Sequence, residues 1–162
     1  MKSKKIIIAI LFIFLTINIS IAINNYAVDF ISNQKDREGG FLIGSKPYEI
    51  KKDPDTTILL VHGVISSPKD FKELSEYLSS RNISVSAMLL PGHGTHPKDL
   101  ATKTYLDWTS SVDEELDKIN SKNKFLLGYS LGGTLTLNAA RTNELDGIIT
   151  INAPIELQNK FV

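Results

Sequence analysis

A serine between two glycines is the strongest chemical signal in the sequence. Gly128-Tyr129-Ser130-Leu131-Gly132 fits the G-x-S-x-G pattern, and it lies between an apolar run typical of a buried strand and a helical pattern. Such a sharp strand–turn–helix connection exposes the serine hydroxyl for nucleophilic attack. Glycine on either side avoids collisions with the neighbouring backbone. The pattern therefore predicts Ser130 as a nucleophile, supported by Gly128 and Gly132.

Attack by a serine on a carbonyl creates an oxyanion, which needs hydrogen-bond donors aimed at it. The backbone N–H of Leu131, the residue after the serine, is one candidate donor. His62-Gly63-Val64 leaves an earlier predicted strand, and the Val64 N–H is the second candidate. Gly63 would let this backbone come close to a bound carbonyl. We expect His62 to hold the loop through a hydrogen bond rather than to act as a base.

Other histidines offer weaker chemistry. His93 lies in a Pro-Gly-His-Gly segment at the expected mouth of the site, where ordering the turn is favoured over acting as the general base. The spacing of His93, His96 and Asp99 matches no common metal-ligand motif. The sequence therefore predicts no metal and no cofactor.

The elements that must position these residues alternate between strand and helix patterns. Such alternation with short connections predicts an α/β fold, in which a parallel sheet has helices on both faces. Functional loops of such sheets gather at the carboxyl ends of the strands, where Ser130 and the loop at 62–64 are expected. The predicted strands are 56–62, 83–90, 124–129 and 145–153, in the spatial order second, first, third, fourth.

Length and composition suit one globular domain. The 162 residues include no cysteine, so disulfides and thiolate-bound metals are excluded. Eighteen basic and eighteen acidic residues cancel, and the pI is near 6.8, so nothing in the charge favours nucleic acid as a partner.

The N-terminus has the pattern of a membrane-directed segment. Lys2, Lys4 and Lys5 precede an almost uninterrupted apolar run at residues 6–23. Its length favours a retained anchor over a cleaved secretory signal, and both over a buried core helix. The domain would then face outward, or be secreted if the signal is cleaved. We accordingly divide the chain into this segment (1–23), a weakly patterned linker leading into the domain (24–50), and a partial catalytic domain (51–162).

Several motifs together resemble one family. "LLVHGVISSPKDF", "PGHGTHPKDL", "GYSLGG" and "INAPI" occur in the order and rough spacing found in bacterial carboxylesterases and monoacylglycerol lipases. These enzymes belong to the serine-aminopeptidase-like branch of the α/β-hydrolases. The resemblance implies hydrolysis of a small-molecule carboxylic ester through an acyl-serine, with Ser130 as nucleophile and Val64 and Leu131 as oxyanion-hole residues.

The family pattern extends further than this sequence. In the family a lid, the triad acid and the triad histidine follow the strand that matches 145–153, and the sequence contains no counterpart of them. The resemblance therefore implies a C-terminally truncated hydrolase fold that is inactive or weakly active alone. A non-catalytic, membrane-tethered remnant or binding module is the alternative. Strand 145–153 should also form an open apolar edge, through which we expect self-association.

Overall fold

The computed structural model describes residues 2–156, which fall into two compact units, Met1–Asp36 and Arg37–Val162. The first unit is a single helix, α1 (Lys2–Asn33), about 48 Å long at 1.5 Å per residue. The helical segment Lys4–Asn33 is long and apolar enough to cross a membrane, with a mean hydropathy of 2.9. A signal sequence has the same length and composition. The apolar side chains of α1 are exposed, Phe14 at 66% for example, which argues against the buried core helix.

The second unit contains all the strands and the remaining helices of the described chain. A short hairpin, β1 (Arg37–Glu38) and β2 (Phe41–Leu42), comes first. The elements that follow are β3 (Tyr48–Ile50), β4 (Thr56–Val61), a 3₁₀ turn (Pro68–Phe71), α2 (Lys72–Ser80), β5 (Ser84–Ala87), α3 (Pro97–Leu100), α4 (Tyr105–Lys118), β6 (Asn123–Tyr129), α5 (Leu131–Ala139) and β7 (Gly147–Ile151).

The main sheet has five strands in the order β3-β5-β4-β6-β7. Strands β5, β4, β6 and β7 are mutually parallel, which confirms the four predicted strands and their spatial order. The register places Leu60 of β4 opposite Leu127 of β6, so both strands end at the same edge of the sheet. That edge carries the loop at 62–64 and Ser130, as parallel strands require.

Strand β3 was missed by the sequence analysis, which interpreted residues 24–50 as a linker. β3 pairs antiparallel with β5 and makes the sheet mixed, and α1 continues to Asn33. A three-residue strand is too short to give a periodic pattern. Its place depends on a tertiary contact, because the Tyr48 hydroxyl shares a 2.8 Å hydrogen bond with the hydroxyl of the buried Ser75 on α2.

The core lies on both faces of the sheet, as successive residues of a strand require. Leu59 and Val61 of β4 point into a cluster with residues of α4 and α5, for example Leu116 and Leu135. The neighbouring residues Ile58 and Leu60 point into the opposite cluster, which α2 covers with Leu74 and Leu78. Helices therefore cover both faces, as predicted.

Strand β7 is an edge strand within the described part of the chain. Ile148, Ile149 and Ile151 are exposed by 39%, 49% and 42%, and they lie on both faces of the strand because side chains alternate. An apolar edge strand with unpaired backbone groups is a template for pairing with another chain.

We therefore expect residues 24–162, purified without the apolar run at 6–23, to self-associate through β7. Ile149→Lys should shift the population towards monomer, because a charge on an edge strand opposes pairing. Size-exclusion chromatography with light scattering measures the effect. Leu106→Lys, which puts the same charge at a 72% exposed position on α4, is the control and should leave the oligomers unchanged. Monodisperse monomer for the unmodified protein would contradict the expectation.

Candidate active site

Ser130 occupies a strained turn between β6 and α5. Its φ of 53° and ψ of −121° lie in a region that residues with a Cβ rarely adopt. Holding a residue there costs on the order of 1–3 kcal/mol, and such strain clusters at functional sites. The turn ends a buried parallel strand and begins a helix, which is the backbone geometry of a nucleophile elbow. The side chain is half-buried and stands at the carboxyl end of the sheet.

The predicted supporting glycines allow this turn. A Cβ on Gly128 would overlap the carbonyl group of Gly132, and a Cβ on Gly132 would overlap the carbonyl of Val61. The backbone of α5 is therefore in direct contact with the backbones of β6 and β4. Any larger residue at either position would have to move a strand or the helix.

The segment that follows β7 also holds the elbow, which the sequence analysis did not predict. The Ser130 N–H donates to the Ile151 carbonyl at 2.8 Å, and the Thr134 hydroxyl donates to the Pro154 carbonyl at 2.8 Å. Asn152 between them has a positive φ of 51°. The "INAPI" motif is the sequence signal for these contacts, and its function here is to hold the first turn of α5 in place.

His62 is fully buried and joins the loops that follow β4 and β5. Its Nε2 accepts a hydrogen bond from the Leu90 N–H at 3.0 Å, and its Nδ1 lies 2.8 Å from the Gly63 carbonyl. Because a carbonyl only accepts, Nδ1 carries the proton and the ring is neutral. Burial, reinforced by the nearby His93, lowers the pKa of His62 from 6.5 to about 4. Both ring nitrogens of His62 are engaged by backbone groups, and neither is free to take the Ser130 proton; that His62 positions the loop stays a prediction.

The geometry around Gly63 supports the expected oxyanion donor. A Cβ on Gly63 would lie 3.1 Å from the Ser130 Cβ, so this backbone already touches the nucleophile. The Gly63 carbonyl is turned towards His62. Since the C=O and N–H of a trans peptide point in opposite directions, the Val64 N–H points away from that buried ring.

The second expected donor begins α5. Leu131 is the first residue of this helix, and the first N–H groups of a helix have no partner within it. The positive end of the helix dipole lies at the same place and favours a developing negative charge. Convergence of the Leu131 and Val64 N–H groups on one oxyanion remains a prediction.

The remaining histidines contact local structure, but the buried Nε2 of His93 has no hydrogen-bond partner among the described residues. His93 is buried, its Nδ1 lies 3.2 Å from the Pro91 carbonyl, and its ring packs edge-on against His62 and Trp108. His96 caps α3 through an Nδ1 that accepts from the Lys98 N–H at 3.1 Å. Among residues 2–156, no side chain hydrogen-bonds the Ser130 hydroxyl, and no cluster of three acidic or histidine side chains has a metal-binding arrangement.

Comparison with known proteins gives one family and several relatives. Residues 52–162 match the family model described as serine aminopeptidase, S33. The chain is 34% identical over 119 residues to the thermostable monoacylglycerol lipase of Bacillus sp. (strain H-257), covering 72% of this chain and 47% of that protein. It is 28% identical over 124 residues to the carboxylesterase of Bacillus subtilis (strain 168), covering 75% and 50%. The chain therefore spans about half the length of these relatives.

Solved structures agree with this assignment. A metagenome-derived lipolytic enzyme (LipS or LipT) superposes with a TM-score of 0.66 at 30% identity, over 74% of this chain and 50% of that enzyme. The monoacylglycerol lipase of Paleococcus ferrophilus superposes with a TM-score of 0.61 at 21% identity, over 72% and 46%. The second likeness shows the fold alone. Together they confirm the predicted α/β-hydrolase fold.

Gly132→Ala should destabilise the second unit by about 3 kcal/mol, because the new methyl group meets the backbone of β4. Gly147→Ala on β7 is the comparison. There the nearest atoms are ring carbons of the Phe125 side chain at 2.9 Å, and no backbone atom lies as close. Denaturant unfolding of the two variants measures the difference. Equal losses of stability would show that α5 does not depend on close backbone contact at Gly132.

Acid should destabilise the fold through His62. The unfolded chain protonates this histidine below about pH 6.5 and the folded chain only near pH 4, so stability falls as the pH drops through that window. Above pH 6.5 the contribution is fully present, and its full loss amounts to about 3 kcal/mol. We expect His62→Gln to be less stable at pH 7.5 and to lose less stability between pH 6.5 and pH 4.5. Parallel pH dependences of unfolding would contradict the neutral, buried assignment.

Proposed function

This chain belongs to the serine aminopeptidase S33 family of the α/β-hydrolases, and on that premise we propose that it supplies the nucleophile and oxyanion hole of a carboxylic ester hydrolase. The observation that carries the proposal is the strained Ser130 at the β6–α5 turn, with the β4 loop packed against it. The relatives in sequence are a lipase and a carboxylesterase, which supports esters as the substrate class.

The reaction would proceed through an acyl-serine. The Ser130 oxygen bonds to the acyl carbon while its proton passes to a general base, and the alcohol leaves with that proton. Water, deprotonated by the same base, then attacks the acyl carbon, and the acyl–serine bond breaks as the base returns that proton to the Ser130 oxygen and the acid is released. The Val64 and Leu131 N–H groups would stabilise the oxyanion formed in both steps.

The general base is the part that the described residues do not supply. His62 uses both ring nitrogens, His93 is buried against Trp108, and His96 caps α3. We assign the base and its orienting acid to the half of the hydrolase fold that the relatives possess and this chain does not span. On its own, this half should retain at most the small residual rate that an oxyanion hole provides.

We also propose that residues 6–23 are a retained membrane anchor and that the domain lies on the outer face. The lysines before the apolar run favour a cytoplasmic N-terminus. α1 continues ten residues beyond the run, to Asn33, without a break at 20–22, where a signal cleavage site would lie. A non-catalytic tethered module is the second candidate, and the absence of a described base beside Ser130 favours it.

The test joins residues 1–156 to the half of the Bacillus sp. (strain H-257) monoacylglycerol lipase that this chain does not match. We expect the chimera to hydrolyse 4-nitrophenyl butyrate, and Ser130→Ala to reduce its kcat by at least about 10³-fold. The chain alone should remain near background with or without Ser130.

Two controls make the result interpretable. Ser80→Ala removes a serine hydroxyl from an exposed position on α2 and should leave chimera activity unchanged. The relative itself, divided and rejoined at the same position, shows whether the junction permits activity. If the chimera folds but is inactive while the rejoined relative is active, the result would favour the non-catalytic module. Activity that survives Ser130→Ala would remove Ser130 as the nucleophile.

A further inference from the structure

A cavity of about 510 Å³ lies beside β3, which two strands separate from β6 and Ser130. Its volume falls in the range of small-molecule sites, ~300–1,000 Å³. Its apolar wall comes from the hairpin, β3 and the segment between them. The residues of this wall are Leu42, Ile43, Pro47, Tyr48 and Ile50.

Two contacts hold the walls of the cavity in place. The Tyr48 hydroxyl bonds to Ser75 of α2 at 2.8 Å and to the Pro68 carbonyl at 3.3 Å, which fixes the aromatic ring. Gly44 has a φ of 80° and lies so close to the Lys69 stem that a Cβ would be 3.1 Å from its Cδ. The stem of the exposed Lys69 side chain therefore lies against Gly44 at the edge of the cavity.

The rim of the cavity is positively charged. Lys46 is paired with Glu38 at 3.4 Å, whereas the side chains of Lys69 and Lys72 have no ion pair or hydrogen bond among residues 2–156. Glu76 is the other acidic residue on the rim. Two lysines against one glutamate leave a net positive charge next to an apolar wall.

We propose that this cavity binds a long-chain carboxylate, the anion of a fatty acid, with its chain along the apolar wall and its carboxylate between Lys69 and Lys72. A small inorganic anion would make no contact with the apolar wall. It would leave Ile43, which is 57% exposed, uncovered, whereas an acyl chain would cover it. A two-tailed phospholipid exceeds a cavity built for one chain. The binding site does not depend on catalysis by Ser130.

The apolar helix that precedes the hairpin in the sequence favours a lipid-derived ligand. Only four residues of sequence separate Asn33, the end of α1, from Glu38 on the cavity rim. A short tether raises the effective concentration of whatever the tethered partner carries. Fatty acids dissolve in bilayers, so a membrane that holds α1 would be a local source of them. If the ester hydrolysis proposed above takes place, its acid product is the same kind of molecule.

The experiment uses the full chain in phosphatidylcholine nanodiscs and a palmitic acid that carries a photoreactive diazirine. After irradiation, mass spectrometry maps the labelled peptides. We expect labels in residues 42–50 and 69–76, removed by excess oleate but not by hexadecanol, which has the chain without the charge. Lys69→Ala with Lys72→Ala should weaken labelling about tenfold.

Control variants separate this site from general lipid contact. Lys51→Ala with Lys52→Ala removes the same charge from lysines outside the cavity and should leave labelling unchanged. Ser130→Ala should also leave it unchanged, so failure of the proposed activity does not affect the result. Displacement by hexadecanol, suppression by phosphatidylglycerol in the disc, or labels confined to α1 would each overturn the proposal. Equal labelling of the two double-lysine variants would overturn it as well.

Discussion

The close contact of α5 with strands β4 and β6 is the constraint on which the site depends. Gly128 and Gly132 permit it, because the space where a Cβ would lie is already filled by backbone carbonyls. This contact makes the turn at Ser130 sharp and brings the end of β4 next to the start of α5. For the same reason we expect the two oxyanion donors, one from the β4 loop and one from α5, to be neighbours. The sequence of the elbow therefore determines the position of a loop more than sixty residues earlier in the chain.

His62 shows how a titratable group becomes structural. Its ring lies beneath the site and accepts a hydrogen bond from the backbone after β5 while it donates to the backbone after β4. Protonation would remove the lone pair that Leu90 requires and would place a charge in the core, so burial lowers the pKa. The neutral ring fixes the orientation of the Gly63 peptide. Titration of His62 is therefore expected to affect the stability of the fold in acid and not a step of catalysis.

The predictable features were those encoded in continuous local patterns. Strands β4 and β6 are long apolar runs, and G-x-S-x-G is a local motif, so both were found from the sequence. β3 is only three residues long. Its Tyr48 hydrogen-bonds to Ser75 on α2, which lies more than twenty residues later in the sequence. Support of the elbow by Ile151 and Pro154 likewise depends on a crossover that brings β7 beside β6. Tertiary contacts of this kind leave little trace in a single sequence.

The strain at Ser130 is maintained by residues of this half of the fold. A cost on the order of 1–3 kcal/mol is offset by backbone hydrogen bonds, each worth about 1 kcal/mol net, of which the bond to the Ile151 carbonyl is one. Backbone donors fixed in this way need no reorganisation when negative charge develops, and this is the main source of their catalytic effect. A proton-transfer group has a different requirement, since it must be close to Ser130 and also free to exchange protons. His62 does not meet the second requirement, because both of its ring nitrogens bond to backbone groups. Under the proposed function, residues 2–156 therefore supply the geometry of attack, and the general base comes from another part of the fold.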